Sequence, residues 1–330
     1  MTRRARATGI LVCLTAGAAV AALAIGRGDL ADADLRGTLL RLRGLRVAAA
    51  FMAGAALATG GVIVQALFRN PLVSPSILGT TAGASLGGQG ALLAFHLIPA
   101  RARPAGIAPE MLLPLGCIAG AIGALAILLA VTRRRPGFLV VLLTGFILSS
   151  LFLSLGSFLI TLAQESWEVG RAIVAFTLGG VGGVGERHLL LALPLVIAGV
   201  GASWCWARPL DLLLSGEEEA TSLGLDVAAV RFWCVVWVAF LTAAAVAIGG
   251  NVAFVGLLVP HALRPFVGLL TRNLVPAAAL AGGGFLILAD VLSRTLRSSG
   301  EIPLGIVTGL VGAPVFLYLL VRRTREGRLG

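Results

Sequence analysis

The chain has 330 residues, of which 58% are hydrophobic and 12% charged, with a mean hydropathy of +0.99. Soluble domains run about 45–50% apolar and about 25% charged, so this composition excludes a soluble protein and indicates one polytopic membrane domain over residues 1–330. The formal net charge of +11 does not point to nucleic acid, because every basic residue is an arginine and the arginines gather at the ends of apolar runs, as membrane flanks do.

The first apolar run, Thr8 to Ile25, follows a basic N-terminus. Ala22-Leu23-Ala24 resembles a signal-peptide cleavage site. A retained first span is expected instead, because ten spans then place both termini on one side. Arg27 to Arg46 reads as a polar loop with five arginines: Arg27, Arg36, Arg41, Arg43 and Arg46. A second span is expected near Val47 to Phe68, ending at Arg69-Asn70-Pro71, and a third after Pro75, to about Leu97. After a proline-rich connection come the fourth span, near Met111 to Val131, and the fifth, which begins after Pro136-Gly137 and continues to about Ala163. Between them lies Arg133-Arg134-Arg135. Gln164 to Arg187 reads as a mixed loop whose glycines suit turns or a half-buried re-entrant piece.

The sixth span, His188 to Trp206, leads to a polar island, residues 207–231, flanked by long apolar runs on both sides. Ser215 with Glu218 three residues later reads as a capping box. Glu217, Glu218 and Glu219 suit the positive end of a helix dipole. Gly224 is placed to stop the helix after about two turns. So short a helix cannot cross a membrane. Two readings fit it, a solvated connector and a contact for a protein on that side. Spans seven to ten are expected at Phe232 to Ile248, Val255 to Leu270, Leu274 to Leu292, and from Pro303 to about Val321.

Without lysine, no P-loop of the form GxxxxGKS or GxxxxGKT exists, so ATP hydrolysis by this chain is excluded. Cys13, Cys117, Cys205 and Cys234 lack CxxC spacing, and His96, His188 and His261 are scattered, so no metal site is expected. An ion-coupled secondary transporter would need ionisable groups deep in its spans. The best candidate, Asp290, has Arg294 one helical turn on and reads as that arginine's structural partner. A membrane enzyme would need a nucleophile motif or paired carboxylates, and the apolar runs hold neither.

Five separated motifs then occur in order. They are Arg69-Asn70-Pro71-Leu72 with Pro75 and Leu78-Gly79, the island Leu214-Ser215-Gly216-Glu217-Glu218 through Ser222-Leu223-Gly224, and Gly250 through Pro260-His261. Leu288-Ala289-Asp290 and Glu301-Ile302-Pro303-Leu304-Gly305 through Thr308, with Gly312-Ala313-Pro314, complete the set. Together they resemble the FecCD family, the permease subunits of iron-chelate and cobalamin ABC importers, over nearly the whole chain.

The resemblance implies an all-α, cobalamin-importer-like fold with ten transmembrane helices, set in a bacterial inner membrane with both termini cytoplasmic. It implies a second permease copy in a homodimer, two cytoplasmic ATPase subunits carrying ATP and Mg, and a substrate-binding protein outside. No cofactor is expected on this chain itself. The resemblance makes Ser215, Gly216, Glu217, Glu218, Leu223 and Gly224 the ATPase-coupling segment, within about 207–228. It makes Arg43, Arg46 and Arg294 the docking arginines for the binding protein, and Asn70 and Leu72 a cytoplasmic gate. Pro260, Asp290, Pro303 and Pro314 are implied to be structural. The family usually has a proline within its Arg-Leu-Pro-Arg; here the place reads Arg43-Gly44-Leu45-Arg46, so the loop backbone is expected to differ. A ferric siderophore or haem is the expected cargo, with cobalamin as the alternative.

Overall fold

The computed structural model describes residues 3–26, 28, 31–98, 109–133, 137–297 and 300–325. Arg27, Arg134-Arg135-Pro136, most of the proline-rich connection and Ser298-Ser299 lie outside the described residues. The elements in chain order are α1 (Arg3–Ala24), α2 (Ala33–Leu67), a 3-10 turn (Pro75–Leu78), α3 (Thr80–Leu97), α4 (Pro109–Thr132), α5 (Phe138–Ala163), α6 (Trp167–Leu178) and α7 (Glu186–Cys205). They continue as α8 (Ala207–Ser215), α9 (Glu217–Ser222), α10 (Val227–Gly249), α11 (Val255–Val267), α12 (Thr271–Thr295) and α13 (Leu304–Arg325). The described residues are helices and connections, without a strand.

Seven helices, α1, α2, α4, α5, α7, α10 and α12, are long and apolar enough to cross a membrane, and α11 and α13 are shorter apolar helices. The glycines, Gln89 and His96 of α3 hold its hydropathy down. Length and hydropathy therefore support seven of the ten expected spans.

The bundle is built around α2. From Ala49 onward nearly every residue of this helix is buried, and α12, α10 and α11 pack around it. Small residues make this possible, because they let backbones approach closely. A Cβ on Gly54 would overlap the Gly282 carbonyl of α12, and one on Gly61 would overlap Gly256 of α11. The α3–α4 pair uses the same device, with Gly83 and Gly87 against Gly116 and Gly120.

Two expected loops are helical. With 35 residues, α2 is about 52 Å long, well beyond the ~30 Å of a hydrocarbon core. Its first turns, capped by the Asp32 side chain accepting from Asp34 N, cover most of the stretch read as a loop. The mixed segment after α5 contains the 12-residue helix α6, which packs on α3 and α5.

Candidate functional site: the inner contact, the pathway wall and the outer arginines

The end of the bundle carrying α8 and α9 is termed the inner end, and the opposite one the outer end. The island here forms two helices. Gly216, at φ +135, breaks the chain between α8 and α9, a conformation that glycine alone adopts without strain. Ser215 is therefore the last residue of α8. The expected Ser215–Glu218 capping box does not form, and α9 begins from Gly216 with no side-chain cap. Three glutamates occupy the first turn of α9 in compensation, facing the positive end of its dipole.

At the other end, Gly224 has φ +84; its N–H bonds Thr221 O at 2.9 Å and Leu225 N bonds Ala220 O at 3.0 Å. This is a Schellman stop. The pair is tied to the spans at two points. Asp211 Oδ1 accepts from Thr271 N at 2.8 Å, capping α12, and Arg231 of α10 donates to Glu217 Oε1 at 2.6 Å. Leu210, Leu213 and Ala220 are buried against the bundle. Glu217, Glu218, Glu219 and Leu223 are exposed, and Leu223 reaches 64% exposure.

At the inner end of α2, Arg69 takes the left-handed region at φ 48 and Asn70 N bonds Gln65 O at 3.1 Å, closing the helix. Asn70 Oδ1 then accepts from Leu72 N at 2.9 Å. This Asx turn, with Pro71 between, sets Leu72 at the edge of a cavity of about 530 Å³. Its wall runs from the 3-10 turn through α3 and α5 to the segment before α11, with hydroxyls at Ser74, Ser76, Thr81 and Ser149, the Asn251 amide and no charged side chain. Such a wall suits passage of a bulky solute better than its capture. Pro75 wedges between Gly60 and Gly256, fixing the turn against α2 and α11.

Pro260 lacks the N–H that would bond Gly256 O within α11. Gln65 Nε2 of α2 supplies a donor instead, at 3.3 Å, and also meets Leu257 O at 3.2 Å. Gln65 Oε1 in turn accepts from Arg264 Nη2 at 2.6 Å. The Pro303 carbonyl accepts from Ile306 N and Val307 N and so opens α13, while Pro314 lies inside that helix.

The outer arginines are arranged differently from the expectation. Arg46 holds two carboxylates bidentately: its Nε lies 2.8 and 3.0 Å from the Asp290 oxygens, and Nη1 and Nη2 lie 2.9 and 2.8 Å from those of Glu301. Arg294 Nε lies 3.3 Å from Asp290 Oδ2, and its Nη2 donates to Ala22 O at 2.9 Å. Arg43 donates to Leu23 O, Ala24 O and Gly28 O at 2.8–3.1 Å. Arg43 and Arg294 thus cap the last carbonyls of α1, the negative end of its dipole. They are 6% and 7% exposed. The three residues do not form an exposed docking set; they bind the outer ends of α1, α2 and α12 and the turn before α13 together.

The sequence reading missed Glu301 as the second acid on Arg46, and Gln65 as the donor to the proline-broken helix. Gln65 was the discoverable one, as an amide within an otherwise apolar run.

Comparison with known proteins gives a consistent picture. The FecCD transport family matches residues 6–322. The Fe(3+) dicitrate transport system permease protein FecD of Escherichia coli strain K12 is 38% identical over 284 residues, covering 86% of this chain and 85% of its own. The cobalamin import system permease protein BtuC of Halobacterium salinarum is 37% identical over 275 residues, covering 83% and 70%. A solved structure described as an inward-facing conformation of a metal-chelate type ABC transporter superposes with a TM-score of 0.85 at 31% identity, covering 96% of this chain and 99% of that one.

Proposed function

The chain belongs to the FecCD transport family and is the permease of an ABC importer, and from that premise we propose that it carries a ferric chelate from a binding protein to the cytoplasm, driven by a separate ATPase. The observation that carries the proposal is the exposed face of α9. Glu217, Glu218, Glu219 and Leu223 form an acidic and apolar surface that the bundle leaves uncovered, while Asp211 and Arg231 link the same helix pair to α12 and α10. A rigidly tied, uncovered helix at one end of a membrane bundle is suited to receive force from a partner. ATP and Mg would sit on that partner, and this chain would carry no cofactor.

The working unit is proposed as two permease copies with two ATPase subunits in a bacterial inner membrane, both termini cytoplasmic. The exposed apolar faces of α5 and α13, including Phe146, Ile147, Leu310 and Leu317, offer surface for a second copy and for lipid. Asn70 and Leu72 would narrow the inner end of the shared pathway. For Arg43, Arg46 and Arg294 to dock a binding protein their present bonds would have to open. Their first role in this proposal is to hold the outer helix ends, and Arg46 with the exposed Glu301 is the part a partner can reach.

Iron chelate is favoured over cobalamin by the FecD relative, which the chain covers over 85% of its length. Cobalamin is the second reading, supported by the BtuC relatives. The two separate by ATPase stimulation of the purified complex with a binding protein loaded with ferric citrate, a ferric hydroxamate, haem or cobalamin. Stimulation by an iron chelate and none by cobalamin is expected. Stimulation by cobalamin alone would reverse the assignment.

A further inference from the structure

Between the inner ends of α4, α5 and α10 lies a cleft of about 430 Å³ that the importer reading leaves without a role. We propose that it binds an anionic phospholipid of the adjoining leaflet, with an acyl chain in the cleft and the phosphate at Arg133 and Arg231.

Leu128, Val141, Phe232 and Val235 make its wall apolar. The one hydroxyl of the lining, Thr132 Oγ1, is turned away to Leu128 O at 2.8 Å. Water in such a cleft would lack partners, and an acyl chain would not. The three helices that form it are among the long apolar ones, and Ala130, Ala228 and Phe232 of its lining are exposed, so in this proposal its open side faces hydrocarbon.

Two arginines, and no acid, complete the lining. Arg133 is exposed and begins the Arg133-Arg134-Arg135 run, whose second and third members lie outside the described residues. Arg231 lines the cleft as well, while its Nη2 holds Glu217 Oε1 at 2.6 Å. Two arginines against the one glutamate that Arg231 holds leave an excess of positive charge, which selects an anionic headgroup, as basic pockets at the cytoplasmic ends of spans do. Depth agrees as well. Phe232 and Trp233 are about half exposed and meet edge to face at 5.4 Å, where aromatic side chains mark a membrane interface. Because Arg231 also holds Glu217, a phosphate there would connect leaflet composition to the position of α9.

The proposal needs only that α4, α5 and α10 cross a bilayer. Its test measures lipid retention without transport, so it succeeds or fails independently of the cargo. Native mass spectrometry of the purified protein would compare phosphatidylglycerol with phosphatidylcholine, in the unmodified chain and in R133Q and A228W, the latter filling the cleft from an exposed position. Phosphatidylglycerol should be retained preferentially. R133Q should weaken it about fivefold, the attraction of one basic side chain to an anionic lipid, and A228W should abolish it. A phosphatidylglycerol with a photoreactive acyl chain, used on the unmodified protein, should label segments 128–141 and 228–235; this arm decides the matter if A228W fails to fold. Equal retention of the two lipids, labelling elsewhere, or a ready disulfide between two copies carrying L129C would overturn the proposal, the last by showing that a second copy fills the cleft.

Discussion

Arg231 Nη2 lies 2.6 Å from Glu217 Oε1, so the first turns of α10 fasten directly to the first turn of α9. The arginine side chain is 13% exposed and the glutamate 46%. A pair so placed contributes little to overall stability, about 0.2–1 kcal/mol as exposed ion pairs do. In the proposed importer its value lies in transmission, because a displacement of α9 would reach α10 directly. R231A should therefore leave the thermal midpoint of the purified protein nearly unchanged and lower ATP-driven uptake markedly. Equal losses of stability and uptake would reduce the pair to a structural contact.

The outer network predicts a sharp asymmetry between its two acids. Asp290 is 2% exposed and faces both Arg46 and Arg294, whereas the Glu301 side chain is 39% exposed. Removing one partner of a buried ion pair strands the other charge, at a cost of about 3–5 kcal/mol. D290A should lower the midpoint of thermal unfolding in detergent strongly, and E301Q only slightly. Equal effects would mean that Asp290 is better hydrated than its surroundings indicate.

Close packing of α3 on α4 predicts another failure point. A Cβ at Gly120 would overlap the Gly83 carbonyl, so G120V forces the helices apart, as overpacking does at about 1–3 kcal/mol. A Cβ at Gly123, three residues on, would meet nothing within 4 Å, and G123V should be tolerated. Expression and size-exclusion profiles of the two variants check the difference.

The Asn70 amide fixes the turn that presents Leu72 to the cavity of about 530 Å³, which in the proposed importer is the inner mouth of the pathway. N70A should free that turn and raise leak of a small solute in proteoliposomes without ATP. Paired cysteines at position 72 in two copies should cross-link when the inner mouth is closed. Cross-linking in no nucleotide state would leave the segment as an ordinary turn.

Much of this architecture was legible in the sequence. Apolar runs bounded by Gly, Pro and Arg placed the long helices, and Gly224 ended α9 where its special backbone freedom predicted. The outer half of α2 was not legible. Five arginines in twenty residues look like a loop, and the groups that satisfy Arg46, Asp290 and Glu301, lie 244 and 255 residues away. Distance hid the Arg294 contact too, since its acceptor Ala22 O lies 272 residues away. Arg43 bonds Leu23 O, Ala24 O and Gly28 O only 15–20 residues before it, and was missed because its segment read as a loop. The capping box failed for a local reason, because Gly216 breaks the chain one residue after the presumed cap and Ser215 ends the preceding helix. Motifs that resemble a family carried the function where periodicity alone gave only membrane helices.

The most direct test of the account is uptake into proteoliposomes containing this chain, its ATPase partner and a binding protein. Radiolabelled ferric citrate would be supplied outside, with ATP enclosed or with an imposed proton or sodium gradient. The account predicts accumulation that requires both ATP and the ATPase subunit, and none driven by either gradient. Gradient-driven accumulation by this chain alone would contradict it.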